Sequence, residues 1–315
     1  MLGVMKAGGA FVLLDPSHPV KRLQGICQDV GAKLAVCSTQ NAVTGAALVA
    51  IVVKIGEGES AWHHGRGDWT RPSVKPHNAL YAVFTSGTTG KPKGVVIEHA
   101  AFCTGAEAQS MAYFLNPSSR VLQFASYAFD TSLMDHLTTL FVGGCVCVPS
   151  DMERNGYIAS AVQRMQVNWT ILTPSVSRLL KPSDVPTLKT LVLAGEAMSQ
   201  QDISLWLGEV LLICGYGPAE CSVNSTAQSV IKPLLDPHNI GYATGGVCWI
   251  VDRLSHDKLA PIGSVGELLI GGPIVGRGYL NDEENTRDVF IESPPWLQHF
   301  QPGHQGRLYK TGDLV

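Results

Sequence analysis

The densest run of chemistry-bearing side chains is Phe84-Thr85-Ser86-Gly87-Thr88-Thr89-Gly90-Lys91-Pro92-Lys93-Gly94. Its eleven residues hold four hydroxyls, three glycines and two lysines. Glycines let backbone N–H groups approach an anion closely, hydroxyls donate further hydrogen bonds, and lysines neutralise charge. The composition suits a cradle for phosphate oxygens. A P-loop needs G-x-x-x-x-G-K-[ST], but only two residues separate Gly87 from Gly90. Pro92 also stands where a Mg2+-binding hydroxyl belongs. This is not a Walker loop.

The elements that must hold such a loop are legible around it. An apolar strand at residues 81–84 leads in and a second apolar segment at 95–97 leads out. Strand-like runs at 9–14, 34–37, 48–55, 121–124, 143–148, 169–172, 190–193 and 211–214 alternate with helical patterns such as 21–31, 158–166 and 199–207. That alternation predicts an α/β fold with largely parallel strands buried on both faces, spanning residues 1–240. From 241 to 315 the texture changes to short β segments, at 247–252 and 266–270, punctuated by Gly and Pro. We expect a small β-rich, barrel-like subdomain there. Residues 57–77, rich in Gly, His, Arg and Pro, read as a polar connector.

Composition narrows the partners. The 315 residues are 45% hydrophobic and 16% charged, with a net charge of −3. Lys and Arg are scattered, which argues against nucleic acid or an anionic membrane as the main partner. No apolar run reaches the roughly 18–20 residues that span a bilayer. The opening MLGVMKAGGAFVLL is interrupted by Gly8-Gly9 and runs into Asp15-Pro16, so it reads as buried structure rather than a signal peptide. The eight cysteines contain no C-x-x-C pair, and no His lies at ligand spacing from a Cys pair, which argues against zinc. Cys145 and Cys147 fall in an apolar run expected to be a buried strand. Free core thiols imply a reducing, cytoplasmic setting.

TSGTTGKPKGV resembles the phosphate-loop signature of the adenylate-forming superfamily, and in particular of nonribosomal peptide synthetase adenylation domains. Seven further segments follow that family's order: MKAGGAFVLLDPSHP, FDTS (129–132), LVLAGEAM (191–198), YGPAE (216–220), GELLIGG (266–272), GRGYLND (276–282) and YKTGDLV (309–315). The resemblance implies that fold, with layered α/β sheets, and a reaction. An amino-acid carboxylate attacks the α-phosphorus of ATP, giving aminoacyl-AMP and pyrophosphate. It implies ATP and Mg2+ as cofactors and a peptidyl-carrier domain as a possible partner. Thr85, Ser86, Gly87, Thr88, Thr89, Gly90 and Lys93 would hold phosphate oxygens. Glu220 would hold Mg2+, Tyr216 would stack on adenine beside Gly195, Gly215 and Gly217, and Asp313 would accept the ribose hydroxyl protons. Without the resemblance, Glu220 is a helix-start carboxylate, Tyr216 a half-buried aromatic and Asp313 a turn residue. Thr85, Lys93 and Glu220 are the expected catalytic set.

The resemblance also implies a substrate class. The aspartate of the FDxS segment, here Asp130, pairs with a substrate α-ammonium, and an incoming cation explains a carboxylate in apolar surroundings. Its alternative is an N-cap for a helix over 131–140. The pocket carried over position by position is Asp130, Thr131, Met134, Ile171, Val192, Ala194, Gly215, Val223 and Asn224. Its lining holds no counter-charge for a charged side chain, so a neutral, apolar or aromatic α-amino acid is expected.

Three positions depart from the family pattern. Cys214 replaces an Asn that bonds the adenine amino group, Leu13 replaces a proline, and 240–243 read Ile-Gly-Tyr-Ala in place of IGRP. The chain opens in an apolar run and stops at Val315, so both ends read as cut from something longer. The resemblance places a lysine-bearing lid domain after that point, and adenylation by this chain alone is expected to be weak or absent. A non-catalytic nucleotide- or amino-acid-binding remnant and an acyl- or aryl-CoA ligase are the alternatives.

Overall fold

The computed structural model describes residues 1–56, 70, 72–85, 92–292, 294–300 and 306–315. Residues 57–69 and 71 of the expected connector lie outside them. Among the described residues the largest sheet has seven strands. Their order is Tyr242–Ala243, Thr226–Gln228, Leu211–Tyr216, Thr190–Leu193, Trp169–Leu172, Arg120–Leu122 and Cys145–Cys147. The last five are parallel, and the first two run antiparallel at one edge.

Continuous apolar strands are what two-sided burial demands, and the side chains divide by parity. Leu172, Leu191, Leu193, Leu212 and Cys214 face one core, with Ile203 and Trp206 of the helix Gln200–Trp206. Trp169, Ile171, Val192 and Ile213 face the other, with Tyr113 and Met134. The candidate pocket lies on this second face.

A second sheet joins Phe11–Val12, Ala79–Thr85, Lys93–Glu98 and Gly278–Tyr279 in that order. The third is an open, curled half-barrel of antiparallel strands: Ser255–Leu259, Val247–Asp252, Glu267–Gly271, Arg307–Leu314 and Phe290–Glu292. Leu34–Ser38 and Ile51–Ile55 form a separate parallel pair. No helix among the described residues is long and apolar enough to cross a membrane.

Three expectations are corrected. The N-terminal run is not buried structure: Leu2–Lys6 is a helix with no buried residue. Gly8, at φ 77°, turns the chain before the two-residue strand Phe11–Val12 and so divides the run. Cys145 is exposed although it shares a face with Cys147, because Cys145–Cys147 is an edge strand and only Cys147 lies over the core. The helix expected over 131–140 is helical but not uniform, with a π-helical stretch at Met134–Thr138.

Candidate functional site

The strands Ala79–Thr85 and Lys93–Glu98 pair antiparallel, and their last register pair sets Thr85 opposite Lys93. The hairpin therefore presents both residues at the mouth of the glycine-rich loop. Ser86, Gly87, Thr88, Thr89 and Gly90 lie outside the described residues. Gly94 is required by packing, since a Cβ there would come within 2.8 Å of the Phe84 ring. Lys93 Nζ donates to Asn285 Oδ1 at 3.3 Å and stands 5.0 Å above the Tyr279 ring.

Glu220 sits on the 3-10 turn Ala219–Cys221, just past the strand Leu211–Tyr216. Gly217 permits that turn, because a Cβ would lie 2.4 Å from the Asn224 Cα. The Glu220 residue is 7% exposed, and its Oε1 accepts a hydrogen bond from Tyr279 Oη at 2.7 Å. The described residues hold no group of three His, Cys, Asp or Glu side chains that would form a closed metal cage. A lone buried carboxylate suits Mg2+, which usually takes one or two carboxylates and draws its other ligands from phosphate and water.

Tyr216 Oη donates to Asp313 Oδ2 at 2.5 Å, bringing the expected adenine and ribose residues into contact. Burial first, then the Asp313 carboxylate, raises the Tyr216 hydroxyl well above the ordinary tyrosine range. Gly195, at φ 81°, turns the chain beyond the strand Thr190–Leu193. Cys214 belongs to the opposite core, and burial pushes its thiol up to about 11.

The candidate acid pocket is built by parity. Met134, Ile171, Val192 and Val223 share one cluster, with Ala194 packed against it. Gly215 lies on the same face, where a Cβ would meet the Tyr113 hydroxyl at 2.9 Å. Asn224 is 3% exposed and directs Nδ2 at Met134 Sδ, 3.5 Å away. Asp130 and Thr131 stand at the start of the helix that carries Met134. Asp130 occupies the N-cap position without a side-chain cap hydrogen bond, and the Thr131 N–H only partly offsets the burial of its carboxyl. Its Oδ2 is fully shielded without a hydrogen-bond partner. Burial, and less strongly the Glu220 charge, push its carboxyl up to about 6.

Three structural supports were given no role by the sequence reading. Gln109, 1% exposed on the helix His99–Ala112, donates from Nε2 to the Ser222 and Asn224 carbonyls at 2.7 Å each. These carbonyls flank Val223, and both Ser222 (φ 59°) and Val223 (φ 78°) are left-handed. Such backbone costs on the order of 1–3 kcal/mol per residue and persists only when its surroundings hold it. Asp135 Oδ2 accepts the Phe124 and Ala125 N–H groups at 3.2 and 3.3 Å, ordering the segment that leads to Asp130. Its burial pushes the carboxyl up to about 8. The third is Tyr279, which touches both Lys93 and Glu220.

The AMP-binding enzyme family matches residues 1–280. The chain is 51% identical over 317 residues to nonribosomal peptide synthetase fmqA of Aspergillus fumigatus, covering all of this chain and 8% of that protein. It spans less than a quarter of each of four curated relatives. A solved NRPS protein containing adenylation and PCP domains, bound to a vinylsulfonamide inhibitor, matches with a TM-score of 0.86 and 26% identity. That match covers 99% of this chain and 54% of the solved one. A four-domain nonribosomal peptide synthetase bound to AMP and glycine matches with a TM-score of 0.81 and 26% identity, over 100% of this chain and 23% of that one. Similar along its whole length to adenylation regions of nonribosomal peptide synthetases, the chain belongs to the AMP-binding enzyme family.

Proposed function

We propose that this chain is the core of a site that binds MgATP and a neutral, apolar or aromatic α-amino acid and joins them as aminoacyl-AMP, with at most weak turnover by the core alone. One carboxylate oxygen attacks the α-phosphorus, the bond to the β-phosphate bridge breaks, and pyrophosphate leaves with the electron pair. Asp130 carries the reading. A shielded carboxylate oxygen without a partner, beside an apolar pocket, is a place for a cation. An α-ammonium fits the charge and the size.

The residues share the remaining work. Thr85 and Lys93 hold phosphate oxygens, with Ser86, Gly87, Thr88, Thr89 and Gly90 between them. Tyr216 and Asp313 hold the nucleoside, and Gly195, Gly215 and Gly217 let backbone approach it. Glu220 holds Mg2+, which when bound offsets phosphate charge. Met134, Ile171, Val192, Ala194 and Val223 form the apolar lining, while Thr131 and Asn224 add its polar points. Catalysis of this kind rests on positioning and charge stabilisation. A carrier domain is the proposed acceptor of the activated acid.

Pyrophosphate exchange into ATP tests the reading, with neutral amino acids set against their desamino analogues and aryl acids. Exchange driven by amino acids alone supports it. Exchange driven equally by desamino or aryl acids would transfer the chain to the acyl- or aryl-acid reading. A binding-only reading draws on Cys214, a poor hydrogen-bond partner where the family uses an amide. It expects ATP binding with no exchange for any acid.

A further inference from the structure

We propose that Tyr279 is a positioning residue that ties the metal-binding carboxylate to the phosphate-loop lysine, its hydroxyl aiming Glu220 and its ring stationing Lys93. The proposal rests on the assignment of Glu220 and Lys93 to MgATP given above. The two residues come from distant parts of the chain and different elements, and Tyr279 touches both. Its hydroxyl lies 2.7 Å from Glu220 Oε1, and its ring centroid 5.0 Å from Lys93 Nζ.

Hydroxyl chemistry fixes the direction of the bond. The Tyr279 hydroxyl has a single proton, which it donates to Glu220 Oε1. Its Lys93 contact is supported from the side by Asn285, whose Nδ2 donates to Asp282 Oδ2 at 2.7 Å.

Tyr279 is itself locked in place. Its strand pairs with Val95 and Val96, its N–H donates to Thr286 Oγ1 at 3.0 Å, and Phe290 meets its ring edge-on at 5.6 Å. The preceding Gly278 lies at φ 130°, where a Cβ would press on Thr286 at 2.5 Å. A core aromatic needs none of the polar contacts.

Tyr279→Phe keeps the ring and removes only the hydroxyl, and Tyr279→Leu removes both. The full 315-residue chain and both variants are titrated by calorimetry with ATP over a series of Mg2+ concentrations, and with AMP without metal. We expect Tyr279→Phe to leave AMP affinity unchanged and to raise the Mg2+ concentration needed for tight ATP binding about tenfold, as for loss of a group that orients a metal ligand. Tyr279→Leu should also weaken metal-free ATP binding by roughly two- to fivefold, through loss of the cation–π contact. An unchanged Mg2+ requirement in Tyr279→Phe, or equal losses for AMP and ATP, overturns the positioning role while leaving the proposed function standing. Absence of Mg2+-dependent ATP binding in the unaltered chain overturns both.

Discussion

Replacing Asp130 with Asn removes one charge and preserves the shape of the pocket. In the empty pocket the carboxyl titrates at about 6 instead of 3.8. At about 1.4 kcal/mol per unit, its ionisation there costs roughly 3 kcal/mol. A bound ammonium removes that cost by pairing with the charge. In Asp130→Asn the ammonium is buried unpaired, a loss of about 3–5 kcal/mol, or on the order of a hundred- to several-thousand-fold in Kd. Calorimetric titration with a neutral apolar amino acid in the presence of ATP reads this directly, while ATP affinity itself should hold.

The same carboxyl predicts two pH effects. Below about pH 6 the unaltered pocket is protonated, so amino-acid affinity should fall about tenfold per pH unit, and the Asn variant should show a flat profile. Stability runs the other way. The folded state binds this proton more tightly than the unfolded chain, so the carboxyl destabilises the fold progressively from pH 3.8 to about 6. Asp130→Asn should therefore raise Tm at pH 7, and the gain should shrink towards zero as the pH falls below about 3.8, where the carboxyl is protonated in the folded and unfolded states alike. Unchanged amino-acid affinity in the variant, or a pH profile that survives the substitution, would refute the ammonium assignment.

Other outcomes follow from the same geometry. Lys93→Ala should weaken MgATP by about 1–3 kcal/mol and AMP far less, since its cation serves the outer phosphates; equal losses measured by titration would remove it from the cradle. Asp313→Ala should weaken ATP and AMP alike, because both carry ribose, and unchanged AMP affinity would refute the ribose contact. Gln109→Leu leaves the Ser222 and Asn224 carbonyls without their buried donor. It should lower unfolding stability by about 2–3 kcal/mol and broaden amino-acid selectivity, which denaturant melts and an exchange panel would register.

The strands Trp169–Leu172 and Thr190–Leu193 were readable because short runs of apolar and β-branched residues have few other homes than a doubly covered sheet. Ser150 and Ser199 open helices through capping boxes that are equally local. The two-residue strand Gly278–Tyr279 was not readable, because only its distant partners Val95 and Val96 make it a strand. The same holds within the site. Motif order could nominate Glu220 and Lys93, whereas the Tyr279 bridge and the Gln109 clamp exist only after folding joins separate segments. Apolar composition misled at Cys145, whose position at a sheet edge is set by topology.

Parity in the large sheet has an evolutionary consequence. Val192, Ala194 and Gly215 face the proposed acid pocket, while their chain neighbours Leu191, Leu193 and Cys214 pack in a core on the other side. Stepping one residue along a strand thus crosses from selectivity to foldability. A lineage can trade Ala194 for a larger side chain and sample a new substrate while the opposing core keeps its volume and its stabilising burial. Gly215 is the exception, because Tyr113 closes the space behind it. Diversification of such domains should therefore run through Ala194 before it reaches Gly215.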